Sequence, residues 1–524
     1  MFIKMFWCVL LLFSTISYTA ESANILFVTT IPSHSHQVVF QPVWKELSLR
    51  GHNVTALALS PLNDKSLTNL TEIDLSYIFK LRKRVPKEYI KYVFQKPTFL
   101  MVFIREILGV DFVIKLHENI LSQHSVMKLI NEDYKFDVVV AEWIYPLAGA
   151  FATRFNCPLV GITSLGAPLT LLDTVGNPSH PIYAPDHNLP IGRELSLYDR
   201  ILSTLYSVFA RTLYHWVGAP KIDASMRKFF GEDMPYIEDI ARNISVLLLN
   251  RNPVFHKIMP VVPAAIELGR VRSFGKVKPL NPELKEFLDN SKNGVVYFSL
   301  GSNTFSCDLP DNVREILVKV FEQLPYNVVW KWETEVLPGK PNNVFAQNWI
   351  SQAALLAHPN VKLFITQGGL QSMEETINHH VPVIGIPFHS DQTMNVDTAV
   401  KYGFGLRIEL EDLSIEGLKS AIHEIMTNQS YKENTAKIEK LMNDIPMEGL
   451  DKAIWWIEYV IRHKGARHLR SPSLDIPWYQ YFLLDVIAFI ALVLSISMYI
   501  LIKVIKLTIR SAKKLLTNEK QKKQ

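Results

Sequence analysis

The chain has 524 residues, of which 55 are Lys or Arg and 50 are Asp or Glu, so its formal net charge is only +5. This charge excludes a uniformly basic nucleic-acid-binding protein, and 48% hydrophobic with 20% charged residues excludes a disordered or low-complexity chain. The three cysteines, Cys8, Cys157 and Cys307, are too few for a disulfide framework or a cysteine-rich zinc site. The length is sufficient for two to four domains of about 150 residues each.

The first twenty residues have the pattern of a secretory signal peptide. Lys4 precedes the apolar run Phe6–Phe13, and small and polar residues follow from Ser14 to Ala20. Because the apolar run is too short to span a membrane, we predict that residues 1–20 are cleaved and that the chain enters the secretory pathway. The sequon at Asn53 lies in a predicted strand, where a glycan does not fit. Three other sequons are candidate glycosylation sites, namely Asn69, Asn243 and Asn428.

Short β-branched runs alternate with helical patterns in residues 21–252, which indicates a parallel sheet with helices on its faces. The stretch Tyr89–Leu129 is rich in Phe, Ile, Leu and Val at helical spacing. Two interpretations of this stretch stay open: a pocket for an apolar ligand and, favoured over it, ordinary core packing. The predicted strands are Asn24–Thr30, His52–Leu59, Phe136–Ala141, Pro158–Thr163 and Ser245–Asn250.

A proline-punctuated segment, residues 253–293, is predicted to link this first domain to a second one in residues 294–480. The second domain shows the same alternation of strand and helix patterns. Its predicted strands are Gly294–Leu300, Asn327–Trp332, Asn343–Gln347, Val361–Thr366, Val381–Ile386 and Gly405–Ile408. The predicted fold class is therefore α/β, with two doubly wound domains.

The segment Tyr481–Ile502 is apolar on every face, and its 22 residues at about 1.5 Å each would cross a hydrocarbon core of about 30 Å. The tail, residues 503–524, has eight basic residues and one acid, so it carries +7 while the rest of the chain sums to −2. By the positive-inside rule the tail is cytoplasmic and everything before Tyr481 is lumenal. The last five residues resemble the dilysine signal of endoplasmic reticulum proteins, so we predict a single-pass type I protein of that membrane.

Several common catalytic motifs are missing from the sequence. No Gly-x-Gly-x-x-Gly turn follows the first strand, which disfavours a nicotinamide dehydrogenase, and there is no P-loop, Gly-x-Ser-x-Gly elbow or His-Glu-x-x-His helix. No two aspartates are separated by a single residue, so the Asp-x-Asp site of metal-dependent sugar transferases is absent and no metal is expected.

One motif of the second domain is typical of phosphate binding. The strand Val361–Thr366 leads into Gln367-Gly-Gly and then a helix. Ligands of open α/β sheets bind beyond the carboxyl ends of strands, where paired glycines let backbone N–H groups approach a phosphate and the helix N-terminus adds a positive partial charge. A glycine pair alone is better explained by a tight turn, so the interpretation depends on the longer string around it.

The string from Phe364 to Gln392, FITQGGLQSMEETINHHVPVIGIPFHSDQ, resembles the signature of the UDP-glycosyltransferases, which move a sugar from a UDP-sugar to small lipophilic acceptors. The resemblance covers almost the whole chain and includes RGHNVT, VVYFSLGSN, WISQAALLAHPNVKLFIT and HKGARHLRSPSLDIPWYQY. The last of these, with SHQVVFQPVW, is most similar to membrane-bound insect members. The resemblance implies the GT-B fold, in which two Rossmann-like domains face a cleft and bind the acceptor and the UDP-sugar. It also implies that a late helix, Asp451–Arg462, crosses back to the first domain.

The resemblance assigns roles to residues of the second domain. Trp349 corresponds to the aromatic residue that stacks on uracil, Gln352 to a polar group near the base and ribose, and Glu375 to the carboxylate on the ribose hydroxyls. Asp391 and Gln392 correspond to the pair that hydrogen-bonds the sugar hydroxyls. The positions that correspond to diphosphate-binding residues are Ser302, Gln367, Gly368, Gly369 and Ser372.

Two residues of the first domain are implied to be catalytic. His36 lies fifteen residues before Gly51, the spacing at which the family has its catalytic histidine. A neutral imidazole, with an ordinary pKa of about 6.5, can take a proton from an acceptor hydroxyl at neutral pH. Glu142 follows a strand where the family has an acid, often Asp, that orients this ring. His34 is the neighbour most easily confused with His36, and we rank it below.

The sequence departs from the family pattern at four positions. Gln367 replaces the usual His on the phosphates, Ser351 a common Pro, and His380 and Ser390 replace frequent glycines. A glutamine donates a hydrogen bond but brings no positive charge. We expect donor or transition-state binding to be weaker by about 1–2 kcal/mol, about ten-fold, through Gln367.

The predicted function is an inverting, metal-independent transfer of a hexose, with glucose favoured, to a hydroxyl of a small lipophilic acceptor. The alternative is a catalytically impaired relative that acts as a lumenal lipophile-binding or partner protein. No cofactor is expected, because the UDP-sugar, with UDP-glucose favoured, is a co-substrate. The expected partners are the UDP-sugar, the acceptor and the membrane, with no nucleic acid and with a homo-oligomer left open.

Overall fold

The computed structural model describes residues 22–81, 94, 98–192, 194–271 and 278–522. The predicted signal peptide, residues 1–20, lies outside these ranges. Most of residues 89–97, the first part of the predicted helical stretch Tyr89–Leu129, also lies outside them.

The first domain is built on a parallel sheet, whose strands within the described ranges are seven in the order β3-β2-β1-β4-β5-β6-β7. Ile25 of β1 pairs with Val54 of β2 on one side and with Val138 of β4 on the other, so the strand order reverses direction at β1. Such a reversal opens a crevice at the carboxyl ends of the strands. The strands are β1 (Asn24–Val28), β2 (Asn53–Ala58), β3 (Leu70–Asp74), β4 (Val138–Glu142), β5 (Leu159–Thr163), β6 (Val246–Leu249) and β7 (Ala265–Glu267).

The second domain repeats this plan with six parallel strands in its described residues, in the order β10-β9-β8-β11-β12-β13. Here the order reverses at β8, which pairs with β9 and β11. The strands are nearly all buried and rich in Val, Ile and Phe, as expected for sheets covered on both faces. They are β8 (Val295–Ser299), β9 (Asn327–Lys331), β10 (Val344–Gln347), β11 (Val361–Thr366), β12 (Val383–Gly385) and β13 (Gly405–Arg407).

Helices cover both faces of each sheet, and two further helices follow in the segment after residue 470. In the part of the chain that the structure describes they are α1 (His34–Leu49), α2 (Ile78–Leu81), α3 (Phe99–Leu121), α4 (His124–Asn131), α5 (Ala150–Arg154), α6 (Leu169–Asp173), α7 (Leu197–Leu213), α8 (Ala219–Phe230), α9 (Ile237–Arg242), α10 (Pro282–Asn290), α11 (Asp311–Glu322), α12 (Gln352–Leu356), α13 (Leu370–Asn378), α14 (Gln392–Lys401), α15 (Ile415–Thr427), α16 (Ser430–Asn443), α17 (Gly449–Arg462), α18 (Trp478–Tyr481) and α19 (Leu484–Lys522). The predicted α/β class with parallel sheets is confirmed.

The predicted linker, residues 253–293, is too long. Strand β7 lies inside it and completes the first sheet, while helix α10 lies inside it and buries Leu284 and Leu288 against the second sheet. Both elements are short and are flanked by prolines, which is why the segment was predicted as a linker. Strand β3 was also missed, because this edge strand is mostly half-exposed and lacks an apolar run.

Helix α17 follows the second domain in the chain and packs against the first domain, as the resemblance implies. Its buried face, which includes Ile454 and Ile457, packs in the same cluster as β1 and α1. At its start Asp451 accepts a hydrogen bond of 2.6 Å from Arg50. The chain therefore returns from the second domain to the first.

The segment Ser471–Gln524 forms a separate unit. Its main element is α19, of which Leu484–Lys514 is long and apolar enough to cross a membrane and is not buried by protein. The helix continues through the predicted basic tail as far as Lys522, so the span and the tail are one element.

Candidate active site

A cleft of about 820 Å³ lies between the carboxyl ends of the two sheets, a volume within the range of about 300–1,000 Å³ that is usual for small-ligand sites. Both strand-order reversals open into it, since its wall includes His36 after β1 and Ser302 after β8. Of the catalytic, UDP-binding and sugar-binding residues predicted above, all except Glu142 and Gly368 line this cleft. Residues predicted at distant points of the sequence are thus brought together.

His36 and Glu142 form a hydrogen-bonded pair at the first-domain wall. The Glu142 carboxyl is fully buried, and its Oε1 lies 2.8 Å from Nδ1 of His36. Its Oε2 accepts backbone N–H bonds from Thr30 (2.7 Å) and Ile31 (2.9 Å). Because a carboxylate only accepts hydrogen bonds, the proton of the neutral imidazole resides on Nδ1 and Nε2 is left as the basic nitrogen.

Local structure explains this geometry. Glu142 is the last residue of β4, the neighbour of β1, so its side chain reaches the turn that follows β1. Helix α1 begins at His34, which places His36 in its first turn. The loop backbone and the histidine are therefore fixed by the same carboxylate.

The opposite wall carries a connected polar set at the start of α12 and within α13. Nε2 of Gln352 donates to Oε2 of Glu375 (2.7 Å) and to Oγ of Ser372 (3.0 Å). The Oε1 atom of Gln352 accepts a hydrogen bond from Tyr297 (3.2 Å). The indole of Trp349, 53% exposed, lies on the same wall. An exposed aromatic face beside a buried carboxylate suits a base and a ribose.

Two tight turns form the floor between these walls. Gly301, after β8, has a φ of 79°, and a Cβ there would lie 2.7 Å from Nε2 of Gln367. Gly368, after β11, has a φ of 86°, and a Cβ there would overlap Val396. Only glycine fits both conditions. Helix α13 begins directly after this turn, with Gly369 as its N-cap, and Gly369 and Leu370 line the cleft.

Two substituted positions adopt the backbone conformation that favours glycine. His380 has a φ of 55° and Ser390 a φ of 58°. Glycine adopts this left-handed conformation without strain, so it would suit both positions, and the two turns form here with larger side chains.

Asp391 and Gln392 begin helix α14 at the end of the cleft. Oδ2 of Asp391 accepts a hydrogen bond of 2.7 Å from Asn395, whose Nδ2 also donates to the Gly368 carbonyl oxygen (2.9 Å). Burial raises the pKa of the Asp391 carboxyl above its ordinary value, and the nearby His187 acts in the opposite direction. Oε1 of Gln392 accepts from the backbone N–H groups of residues 388 and 389, and its amide nitrogen lies 3.5 Å from Nδ1 of His389.

Sequence reasoning missed three contributors to the site. Lys331 lines the cleft with Nζ 2.8 Å from Oε1 of Glu333 and 5.9 Å from the Trp349 ring. Asn395 joins Asp391 to the Gly368 turn, as described above. Asn303 bonds the Ser33 hydroxyl of the first domain (3.1 Å). The position of Lys331 at the carboxyl end of strand β9 is the signal that could have identified it.

The predicted glycosylation positions differ in their surroundings. Asn243 and Asn428 are exposed, and so is Asn53. Nδ2 of Asn69, the atom that would carry a glycan, donates to the carbonyl oxygens of Ser48 and His52, both at 2.8 Å. A glycan on Asn69 is incompatible with these two hydrogen bonds.

Comparisons with known proteins show the family of the chain. A family model described as UDP-glucoronosyl and UDP-glucosyl transferase matches residues 24–522. UDP-glycosyltransferase UGT5 of Dactylopius coccus is 33% identical over 496 residues, 94% of this chain and 93% of its own length. UDP-glucuronosyltransferase 2B7 of Homo sapiens is 29% identical over 520 residues, 95% of this chain and 96% of its own length.

Solved structures support the fold. The glycotransferase of kitacinnamycin has a TM-score of 0.53 at 17% identity, and covers 85% of this chain and 100% of its own. Spinosyn forosaminyltransferase SpnP has a TM-score of 0.53 at 13% identity, with 84% of this chain and 100% of its own covered. Two parallel-sheet domains that face a cleft are the GT-B arrangement of these glycosyltransferases. The match over residues 24–522 shows that the chain belongs to the UDP-glucuronosyl and UDP-glucosyl transferase family.

Proposed function

We propose that this enzyme transfers glucose from UDP-glucose to a hydroxyl of a small lipophilic acceptor, with inversion at the anomeric carbon and with His36 as the general base. The observation that carries the proposal is that His36, with the buried Glu142 carboxyl 2.8 Å from its ring, lines the same cleft as Trp349 and Glu375. The cleft therefore contains both a candidate general base and side chains that suit a nucleotide.

In this mechanism Nε2 of His36 takes the proton of the acceptor hydroxyl while the oxygen attacks the anomeric carbon from the side opposite the UDP. The new C–O bond forms as the bond to the UDP oxygen breaks, so the leaving diphosphate gains negative charge. The N–H groups at the start of α13 and the Gly301 turn stabilise that charge. Since the sequence has no Asp-x-Asp motif, the transfer is proposed to need no metal.

Glucose is proposed as the sugar because of the charges around Asp391. A smaller cavity shares Asp391 with the cleft and is lined by several basic side chains, including Arg251 and Lys257. Arg251 is paired with Glu267, and Lys257 donates to the Gly192 carbonyl oxygen (3.1 Å). The charge of Arg251 is thus balanced by Glu267, whereas Lys257 keeps its positive charge beside a neutral carbonyl, so the choice of an uncharged hexose rests on the paired Arg251.

The proposal is tested by UDP release from membranes that contain the enzyme, with UDP-glucose and a panel of lipophilic phenols. Acceptor-dependent UDP release is expected with at least one phenol. UDP binding without release on any of a broad panel would favour the catalytically impaired alternative.

Gln367 is expected to limit the rate modestly. Its Oε1 is buried and has no hydrogen-bond partner among the described residues, and its neutral amide lies beside the phosphate turn. Gln367→His should raise kcat/KM for the UDP-sugar by up to about ten-fold, since it adds a charge-assisted hydrogen bond. Steady-state kinetics would show this, with Gln371→His in the same cleft as the control. A loss of activity would show that the glutamine is adapted to this site.

The ionised Asp391 carboxyl is expected to lower the stability of the fold, although it is proposed to bind the sugar hydroxyls. Its folded-state pKa lies above the unfolded value, so its ionised form destabilises the fold at neutral pH, and this effect disappears as the pH falls through the raised pKa. Asp391→Asn should raise Tm by about 1–3 °C at pH 7 and less at pH 4, and should raise KM for UDP-glucose about ten-fold. Thermal melts at both pH values test this. A stabilisation that is larger at pH 4 would contradict it.

We also infer that residues 1–20 are removed and that the enzyme is a type I protein of the endoplasmic reticulum with its cleft in the lumen. The support is the candidate span Leu484–Lys514 followed by basic residues. Asn243→Gln and Asn428→Gln should each remove one glycosidase-sensitive mobility shift, whereas Asn69→Gln should remove none. A wild-type protein without any shift in cells would argue against the lumenal orientation.

A further inference from the structure

Two neighbouring helices of the first domain each expose a row of large apolar side chains. Helix α3 and helix α7 pack together through Phe103, whose ring lies 5.7 Å from that of Tyr206 and 4.6 Å from that of Phe209. This contact uses the inner sides of the helices and leaves their outer sides to the surroundings.

The outer side of each helix is apolar at helical spacing. On α3 the exposed side chains recur every four residues, namely Leu100, Ile104, Leu108 and Phe112, and are 46–69% exposed. On α7 the corresponding residues are Leu197, Ile201, Leu205 and Val208, which are 50–65% exposed. We call these eight residues the apolar face. Soluble proteins rarely expose so many adjacent large apolar side chains without a partner.

Several polar side chains beside the apolar face have hydrogen-bond or ion-pair partners within the protein. Asp111 of α3 is paired with Lys221 at 2.7 Å. The hydroxyls of Thr204 and Thr212 donate to the carbonyl oxygens four residues before them, each at 2.8 Å. Ser495 in the candidate membrane span does the same at 2.7 Å. Hydroxyls bonded to their own helix do not need water, so the face is suited to an apolar surrounding.

The two helices and the turn after α7 also expose groups that suit a lipid headgroup layer. Trp216 follows α7 in a π-helical turn, Tyr214–Gly218, and is 81% exposed. Arg200 and Lys115 are exposed on the same two helices. Tryptophan and cationic side chains are enriched where proteins meet the headgroups of a bilayer.

We propose that the apolar face lies in the interfacial layer of the membrane. A bilayer is the apolar phase that this chain itself requires, because Leu484–Lys514 is long and apolar enough to span one. Every anchored copy therefore has lipid within reach, whereas a second protein would have to be supplied. The contact would hold the first domain, which is proposed to bind a lipophilic acceptor, against the phase in which such acceptors dissolve.

The full chain, with Cys157→Ala and Cys307→Ala, can test this in liposomes. An environment-sensitive dye is attached to a single cysteine at Leu108→Cys or Leu205→Cys, and quenching by nitroxide-labelled lipid is compared with quenching by aqueous iodide. Leu441→Cys is the matched control, since Leu441 is 57% exposed on helix α16, and Leu494→Cys in the candidate span is the positive control.

Lipid quenching at Leu108→Cys and Leu205→Cys should exceed that at Leu441→Cys at least three-fold, with iodide quenching reduced. Iodide quenching equal to that at Leu441→Cys would overturn the proposal. Protection from both quenchers would also overturn it and would indicate a second protein or copy on this face. A lack of lipid quenching at Leu494→Cys would instead refute the membrane anchor itself, so the two failures are distinguishable.

Discussion

His36→Ala is expected to lower kcat for sugar transfer by about 10²–10⁴ while the Kd for UDP stays within about two-fold of the wild-type value. The imidazole lies on the first-domain wall, where it would meet the acceptor, and the side chains assigned to uracil and ribose lie on the opposite wall. Removing the base should therefore affect the chemical step and not nucleotide binding. Acceptor-dependent UDP release and UDP titration measure the two quantities.

His34→Ala is the matched control for this change. The His34 ring lies 4.7 Å from that of Trp349, edge to face, so its loss should alter UDP affinity and leave kcat within about three-fold. If His36→Ala kept near-normal turnover, or if His34→Ala showed the larger loss of kcat, the assignment of the base would be wrong.

Glu142→Gln is expected to lower kcat by about 10²–10³ with little change in KM for the UDP-sugar. The carboxylate holds the proton of His36 on Nδ1 through the 2.8 Å contact and accepts the N–H groups of Thr30 and Ile31. A carboxamide in its place presents a donor to one of these groups. The imidazole can then adopt the other tautomer, whose Nε2 carries a proton and cannot act as a base.

Glu142→Asp is the corresponding control, because it keeps the charge and is one methylene shorter. We expect its kcat to lie between those of the wild type and Glu142→Gln. Thermal melts would show whether either variant also loses stability through the Thr30 and Ile31 hydrogen bonds. Wild-type kcat for Glu142→Gln in a well-folded protein would show that the carboxylate has no part in orienting the base.

Most of the correctly predicted strands contain a run of buried apolar residues, whereas the edge strands β10 and β13 were predicted without one. Val361–Thr366 was placed to the residue, and Asn327–Trp332 ends one residue beyond β9. The strands that were missed lack such a run. Strand β3 is mostly half-exposed at the sheet edge, and the three-residue strand β7 owes its conformation to pairing with β6. Tertiary contacts decide such elements, and local pattern does not reveal them.

The site residues were predicted by resemblance, and their contacts were not predictable from local sequence. His36 and Glu142 are 106 positions apart, and only the adjacency of β1 and β4 brings them into hydrogen-bonding distance. Lys331 was missed because a single lysine in an apolar strand has no motif around it. The apolar stretch of α3 was interpreted chiefly as core, but much of its apolar surface is exposed.

The chemical identity of the product tests the proposed transfer reaction most directly. Membranes that contain the enzyme are given a responsive phenol with equal concentrations of UDP-glucose and UDP-glucuronic acid, and the conjugates are analysed by mass spectrometry and proton NMR. A β-glucoside is expected in excess, formed by wild-type enzyme and not by His36→Ala. An α-linked product would contradict inversion, and a predominant glucuronide would contradict UDP-glucose as the donor. Wild-type levels of conjugate from His36→Ala would contradict the role of His36 as the general base.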